Sequence, residues 1–421
     1  MKYLLKGAVL TAVLLLAGCG GLDQPSNPTV EGGEVVVSFS PELMKQTLIK
    51  AGAATEATPV FGYTAYKIPY ETTDEKGATV AVSGLMVVPT GFPEALAKGI
   101  GFSVVSDDHG TIFANDEAPG VIGEKTSAPD GSAIILTALS GFVTLQPDYI
   151  GFGDSNDHYH PYVLKKSLAN ATVDFIRAAR KFATDNDIKL NGQLFLTGYS
   201  EGGYAALATL QKIEQEGLWG EMPIALTAPM AGPYALDIMG QVILNPEGSL
   251  SVPSFMANLG YAYAKTYDKT LTDVINEPYA SKLADLFSGK YTRAEIDPQL
   301  TTVTLGLFNP VLINGFYTDP DNWFKQAMQE NDLSTWAPFS GVQFLHCEED
   351  EVINYQIAEY TANAMIQRGA QHVGLTAVTL PPAQTEEEAN MLSHARCGKY
   401  AYGTAAYIFN GLRKAAFPQY P

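Results

Sequence analysis

The 421-residue sequence predicts an α/β fold, in which a mostly parallel central sheet is covered by helices on both faces. Strand-like and helix-like runs alternate between residues 99 and 233, and the alternation returns between residues 341 and 412. The chain is 46% hydrophobic, which suffices for a substantial core. Its formal net charge of −19 argues against a nucleic-acid partner, because an acidic protein is repelled by phosphate.

The first residues, MKYLLKGAVLTAVLLLAGCG, combine a basic start with an apolar run too short to span a membrane comfortably. This pattern predicts a signal peptide over residues 1–18. The run ends in Leu-Ala-Gly-Cys, which resembles a bacterial lipobox, so we expect Cys19 to be lipidated and to attach the protein to a membrane. Gly20 rather than aspartate follows, which favours the bacterial outer membrane. An ordinary signal peptide with a chance cysteine is the alternative.

The rest of the chain is predicted to form a flexible tether, a core in two pieces and an inserted helical cap. The tether, residues 19–34, is rich in Gly, Pro, Ser and Asn. The core covers residues 35–234 and 336–421, and the cap covers residues 235–335, where strand–helix alternation stops. PVFGYTAYKIPY and ATVAVSGLMVVP predict an antiparallel strand pair that precedes the alternating part.

Within the alternating part, β-branched and aromatic runs predict strands, and helical spacing predicts helices. Strands are expected at residues 99–106, 193–197, 341–347 and 375–381, at the start of residues 142–151, and at residues 223–233, where the strand runs into a Gly-Pro turn. Helices are expected at residues 167–184, with Ser167 as the cap, and at 202–217, 354–370 and 399–412.

The sequence GYSEGG, residues 198–203, stands between a predicted strand and a predicted helix. This context matches the G-x-S-x-G nucleophile elbow of the α/β-hydrolase fold, so Ser200 is the predicted nucleophile. Gly198 and Gly202 have a steric reason to be glycine, because a bulkier residue would clash in so sharp a turn. A glycine-rich turn without chemistry is the alternative, since the chain has 39 glycines.

The base must be one of six histidines: His109, His158, His160, His346, His372 and His394. In this fold the chain order is serine, acid, histidine, which leaves the last three. His372 precedes a strand and so lies at the wrong end of the sheet, and no acid-bearing strand precedes His346. His394, in the loop before the last helix, is therefore the predicted base.

The acid is expected after the strand at residues 341–347, where the chain reads EEDE. Asp350 is favoured, with Glu349 and Glu351 as alternatives. Two backbone N–H groups should hold the oxyanion. The first is the amide of Glu201, and the second is that of Thr111 or Gly110 in the loop after residues 99–106.

His109 is then structural, and no cofactor is expected. His158 and His160 are spaced as half of a metal site but lack a convincing third ligand, so no metal is predicted.

Cys347 and Cys397 form an even pair in a chain that is expected to be exported, which predicts a disulfide. Cys347 stands three residues before Asp350, and Cys397 three residues after His394. The disulfide would therefore clamp the acid loop to the base loop.

Several short segments carry a family resemblance. They include DHGT (108–111), PDYIGFG (147–153), GYSEGG, AGPY (231–234) and DEVINYQ (350–356). In these segments the chain resembles the secretory lipase family of α/β-hydrolases, of the Candida lipase A type. The resemblance implies a serine carboxylester hydrolase, a lipase or esterase, that forms an acyl-enzyme with a lipid or small-molecule ester. It also implies a helical cap over an apolar acyl pocket. Ser200, Asp350 and His394 match the family triad, whereas Ile353 stands where proline is common. A serine peptidase and a non-catalytic surface binding protein are the alternatives.

Overall fold

The computed structural model describes residues 29–30, 32–126 and 131–420. The predicted signal peptide, residues 1–18, and the predicted lipidation site, Cys19, lie outside the described residues. The end of the predicted tether contributes to the sheet, because residues 29–30 and 33–34 lie in its first two strands.

Ten strands form one sheet in the described chain, in the spatial order β1-β2-β3-β4-β6-β5-β7-β8-β9-β10. The strands are β1 (Thr29–Val30), β2 (Gly33–Phe39), β3 (Gly62–Thr73), β4 (Thr79–Thr90), β5 (Phe102–Asp108), β6 (Val143–Pro147), β7 (Leu190–Tyr199), β8 (Ile224–Met230), β9 (Val342–His346) and β10 (Val373–Ala377). The pairs from β6 to β10 are parallel, and those from β1 to β4 and between β4 and β6 are antiparallel. The mostly parallel sheet with a leading antiparallel pair is therefore confirmed.

The helices surround this sheet and fill the long connection between β8 and β9. They are α1 (Pro41–Lys50), α2 (Glu94–Ala97), α3 (Pro119–Thr126), α4 (Gly131–Ala133, continued by a π-helix, Ile134–Ala138), α5 (Lys165–Asp185), α6 (Glu201–Gln215), α7 (Leu236–Ile243), α8 (Pro253–Thr266), α9 (Leu283–Leu286), α10 (Arg293–Ile296), α11 (Thr304–Leu307), α12 (Pro310–Thr318), α13 (Trp323–Glu330), α14 (Tyr355–Gln367), α15 (Glu386–Asn390) and α16 (Ser393–Ala416). No helix of the described chain is long and apolar enough to span a membrane.

Side chains of β7 show how both faces of the sheet are covered. Leu194 and Leu196 join the hydrophobic cluster that includes residues of α5 and α6. Phe195, between them, points to the opposite face and stacks on Phe409 of α16 with ring centroids 4.5 Å apart. This alternation is the period-2 pattern of a strand buried on both faces, and the predicted α/β-hydrolase fold is confirmed.

Two helices begin earlier than the sequence predicts, because glutamates from distant loops accept their first N–H groups. Helix α5 begins at Lys165, and the N–H of Ser167 donates to Oε1 of Glu75 at 2.7 Å, so the prediction of Ser167 as the cap is wrong. Helix α16 begins at Ser393, and the N–H of His394 donates to Oε2 of Glu351 at 3.2 Å. His394 therefore lies in the first turn of a helix rather than in a loop.

The connection between β8 and β9 holds seven helices, α7 to α13, and no strand longer than an isolated bridge. This connection packs on the loop that follows β5. The ring of Phe113, in that loop, stacks on the rings of Phe255 and Phe287 of the connection, with ring centroids 6.0 Å and 5.6 Å apart. The N–H of Asn115 also donates to the carbonyl oxygen of Gly289 at 2.8 Å. The connection therefore covers the carboxyl end of β5.

Candidate active site

Ser200 lies on a sharp turn between β7 and α6. Its backbone has φ 61° and ψ −122°, a conformation that residues other than glycine rarely adopt. Its N–H donates to the carbonyl oxygen of Met230 in β8 at 2.9 Å, which ties the turn to the neighbouring strand. The sequence-predicted strand–turn–helix context of Ser200 is thus present in the structure.

The glycines of this turn are required by close backbone approaches. A Cβ on Gly198 would lie 2.4 Å from the carbonyl oxygen of Gly202, and one on Gly202 would lie 1.8 Å from that of Asp108. Both distances are far below van der Waals contact. Glycine at these positions lets the end of β5 pack directly against the start of α6.

A continuous chain of hydrogen bonds links Ser200, His394 and Asp350. Nε2 of His394 lies 2.9 Å from Oγ of Ser200, and Nδ1 of the same ring lies 2.6 Å from Oδ2 of Asp350. The hydroxyl of Tyr199 donates to the carbonyl oxygen of His394 at 2.6 Å, which anchors the start of α16 to the end of β7. His394 and Asp350 are both buried.

The carboxylate of Asp350 is held in its charged form. Burial alone would raise the pKa of Asp350, but hydrogen bonds from His346 and His394 hold it well below its ordinary value. The alternative acid Glu351 has a different contact, since it accepts from the hydroxyl of Ser393 and from the backbone N–H of His394. Glu349 contributes its carbonyl oxygen to Ser393. Asp350 is thus the carboxylate that faces the His394 ring.

Two of the predicted oxyanion donors, Glu201 and Gly110, lie next to Ser200. The N–H of Glu201 is the first of helix α6 and so has no acceptor within that helix. A Cβ on Gly110 would lie 3.0 Å from the carbonyl oxygen of Tyr199 and 3.6 Å from Cβ of Ser200, so this loop packs against the turn. Thr111 follows, and its hydroxyl lies 3.0 Å from that of Tyr162.

His109 bridges two backbone segments beside this loop. Its Nδ1 lies 2.7 Å from the carbonyl oxygen of Gly110, and its Nε2 lies 3.3 Å from that of Asp148. The ring of Tyr149 also packs on it, with centroids 4.2 Å apart. These contacts fit the structural role that the sequence suggests for His109.

The side chain of Glu201 forms a buried pair with His160. Nε2 of His160 lies 2.8 Å from Oε1 of Glu201, and Nδ1 lies 2.8 Å from the carbonyl oxygen of Ile150. Since a carbonyl oxygen only accepts, Nδ1 is the donor to Ile150. The pair ties the residue after Ser200 to the loop that follows β6.

His158 is not part of this pair. Its side chain is exposed, and Nε2 lies 3.7 Å from Oδ1 of Asp157. The residues that the structure describes hold no group of three or more His, Cys, Asp or Glu side chains placed to bind a metal ion.

Cys347 and Cys397 are joined by a disulfide with Cα atoms 6.1 Å apart, and both are buried. The bond connects the residue after β9 to the second turn of α16. It therefore lies between the loop that carries Asp350 and the helix that carries His394.

Asp108, at the end of β5, is a fully buried carboxyl group under the Ser200 turn. It accepts from the hydroxyl of Thr172 at 2.8 Å, and its Oδ2 has no hydrogen-bond partner in the described chain. Burial raises the pKa of Asp108 well above its ordinary value, and the nearby charge of Asp107 adds to this effect.

Sequence reasoning missed one histidine that contacts the acid. His346 was excluded as a base, yet its Nε2 lies 3.2 Å from Oδ2 of Asp350. The signal available in the sequence was its position as the last residue of a strand, four residues before the acid. The same reasoning considered His160 only as a metal ligand and missed its pairing with Glu201.

Part of the chain matches a lipase family model, and its fold is similar to those of solved lipases and esterases. Residues 127–214 match the model of the secretory lipase family. No curated protein sequence matches the chain.

Three solved structures share the fold. The ligand-bound rice cell wall degrading esterase LipA of Xanthomonas oryzae matches with a TM-score of 0.76 and 25% identity, over 90% of this chain and 98% of that one. A Legionella pneumophila protein matches with a TM-score of 0.77 and 22% identity, over 90% and 97%. Candida antarctica lipase A in its closed state matches with a TM-score of 0.55 and 15% identity, over 74% and 71%. The predicted resemblance to the secretory lipases is therefore confirmed, and the match to that family supports the prediction of a carboxylic ester hydrolase.

Proposed function

We propose that this protein hydrolyses carboxylic esters through an acyl-enzyme, with Ser200 as nucleophile, His394 as base and Asp350 as the acid that orients His394. The observation that carries the proposal is the hydrogen-bonded chain from Ser200 to Asp350, which starts on a strained strand–helix turn. A serine hydroxyl is a weak nucleophile until such a base takes its proton.

In the first half-reaction, Oγ of Ser200 attacks the ester carbonyl carbon while Nε2 of His394 takes the hydroxyl proton. Asp350 stabilises the imidazolium that forms. The amide of Glu201 and that of Gly110 or Thr111 stabilise the negative oxygen of the tetrahedral intermediate. The bond to the alcohol oxygen then breaks, and His394 gives its proton to the leaving alkoxide.

In the second half-reaction, water attacks the acyl group on Ser200. His394 takes a proton from the water, and a second tetrahedral intermediate forms in the same amide site. Its collapse breaks the bond to Oγ, which recovers a proton from His394 as the carboxylic acid departs.

We further propose that residues 235–335 act as a cap over the substrate site. This segment and the core together line a small cavity, whose walls include Ile112, Phe152, His160, Tyr261 and Phe287. The aromatic lining favours an apolar acyl group, as expected for a lipid or small-molecule ester.

The nucleophile is tested with a fluorophosphonate probe and with p-nitrophenyl esters of increasing acyl length. We expect wild-type protein to be labelled at Ser200 and to hydrolyse the esters, and we expect Ser200→Ala to do neither. Hydrolysis retained by Ser200→Ala would refute the assignment. Cleavage of a peptide amide in preference to the esters would instead favour a peptidase.

We propose that the enzyme is an exported lipoprotein of the bacterial outer membrane, anchored through Cys19. The match to a secretory lipase family supports export, and the lipobox-like Leu-Ala-Gly-Cys sequence supports the anchor. Metabolic labelling with a fatty-acid analogue should mark wild type but not Cys19→Ser. A Cys19→Ser variant that still carries the label in the outer-membrane fraction would contradict the anchor.

A further inference from the structure

The carboxylate of Asp350 accepts hydrogen bonds on both of its oxygens. Oδ1 accepts from the backbone N–H of Val352 at 2.9 Å and of Ile353 at 2.8 Å. Oδ2 lies 2.6 Å from Nδ1 of His394 and 3.2 Å from Nε2 of His346. Two histidines therefore face the same carboxylate oxygen, and they approach it from different parts of the fold, the end of β9 and the start of α16.

The surroundings of His346 determine its tautomer. Nε2 also lies 2.8 Å from the carbonyl oxygen of Ile353, and only a protonated nitrogen can donate to a carbonyl. Nδ1 is buried and has no hydrogen-bond partner in the described part of the chain. His346 thus donates from Nε2, and its one N–H there is shared between the carbonyl oxygen of Ile353 and Oδ2 of Asp350.

This tautomer makes His346 a donor that cannot compete for the catalytic proton. Its Nε2 already carries a proton, so it cannot accept the one shared between His394 and Asp350. Its N–H stabilises the negative charge on Oδ2 and restricts rotation of the carboxyl group. Burial of the whole ring keeps water from replacing this donor.

We propose that His346 is a positioning residue, which acts on the reaction by holding Oδ2 of Asp350 in place for Nδ1 of His394. This inference rests on the proposed function, because it assigns His346 a role in the same hydrolysis. The role is specific: the N–H donor matters, rather than the bulk of the imidazole.

Two substitutions separate the donor from the volume of the side chain. His346→Gln keeps an N–H donor at similar reach, whereas His346→Leu fills the space without a donor. We expect His346→Leu to lower kcat by about 10- to 100-fold with little change in KM, because misplacement of a catalytic group by about 1 Å costs rate rather than binding. His346→Gln should recover most of the lost kcat.

A matched control comes from Tyr355, whose ring packs edge-on against His346 with centroids 5.7 Å apart. Tyr355→Leu alters the packing around His346 and leaves its N–H in place, so its kcat should stay near the wild-type value. Thermal unfolding of all variants reports whether each one folds. A His346→Leu variant with wild-type kcat, or a folded His346→Gln as slow as His346→Leu, would overturn the proposal.

A second readout does not need turnover. The proton between Nδ1 of His394 and Oδ2 of Asp350 should give a low-field proton resonance in the Ser200→Ala background. We expect His346→Leu to shift or broaden this resonance and His346→Gln to retain it. If wild type hydrolyses no ester but the resonance responds in this way, the proposed function fails and the positioning stands. If wild type is active and neither kcat nor the resonance responds, the positioning fails alone.

Discussion

His160 and Glu201, the residue after Ser200, form a buried hydrogen-bonded pair, with Nε2 of His160 2.8 Å from Oε1 of Glu201. Loss of one member leaves the other buried without its partner, which costs about 3 kcal/mol. We therefore expect Glu201→Leu to lower the free energy of unfolding by roughly that amount. Glu201→Gln can still hydrogen-bond His160 and should be far milder. Urea denaturation measures the free energy of unfolding of both variants. Equal losses of stability in the two would show that the hydrogen bond to His160 does not account for the effect.

The second prediction compares two glycines in helices, one near the start of α6 and one within α16. A Cβ on Gly202 would lie 1.8 Å from the carbonyl oxygen of Asp108, whereas a Cβ on Gly403 in α16 would meet nothing within 4 Å. Gly202→Ala should therefore fail to yield folded protein, or should fold without activity. Gly403→Ala should be active and more stable by up to about 1 kcal/mol, because alanine favours the helix. Soluble yield, thermal unfolding and ester hydrolysis distinguish these outcomes.

The third prediction identifies the acid. Asp350 contacts the ring of His394, whereas Glu351 contacts only its backbone N–H. Asp350→Asn should lower kcat by about 10⁴-fold, since the amide favours the wrong tautomer of the base. Glu351→Gln keeps an acceptor for that N–H and should retain most of the activity. Steady-state kinetics on one p-nitrophenyl ester suffices, and the reverse ranking would make Glu351 the acid.

The fourth prediction concerns pH and stability at Asp108. Because burial raises the pKa of Asp108 in the folded state, the folded protein keeps a proton that the unfolded chain loses above about pH 4. The stabilisation from Asp108 is therefore complete below that pH and is lost as pH rises. Asparagine cannot ionise, so Asp108→Asn should gain stability relative to wild type between pH 4 and 7. A stability difference that is constant over this range would contradict a raised pKa.

The fifth prediction concerns the disulfide. Cys347 and Cys397 are 50 residues apart, and closure of such a loop stabilises the folded state by about 4 kcal/mol through the entropy of the unfolded chain. The double variant Cys347→Ser, Cys397→Ser should lose about this much stability. Wild type treated with a reductant should move in the same direction. Unfolding curves that coincide with and without the disulfide would contradict the expected stabilisation.

The sheet and its helices could be predicted because their signals are local. Strand-like runs such as residues 193–197, and the glycines around Ser200, indicate the local structure within a window of a few residues. The order of serine, acid and histidine left three of the six histidines as candidates. Strand topology then left only His394, because the carboxyl ends of parallel strands meet at one edge of the sheet. The structure brings His394 within hydrogen-bond distance of Ser200.

The contacts that could not be predicted join residues distant in sequence. Glu75 and Glu351 extend α5 and α16 by accepting N–H groups from another part of the chain, so no local cap marks where these helices begin. The pairing of His160 with Glu201 likewise depends on how the loop after β6 folds over α6. The residues next to His160 in the sequence do not indicate a partner as distant as Glu201.

The disulfide also encloses residues 347–397 in a covalent ring, and this ring contains both Asp350 and His394. A protease that cuts one peptide bond inside the ring opens it but releases no fragment, because the two ends stay linked through sulfur. Asp350 and His394 thus remain attached to the chain that carries Ser200 after such a cut. The bond therefore offers tolerance to proteolytic nicking in the loops around α14 and α15.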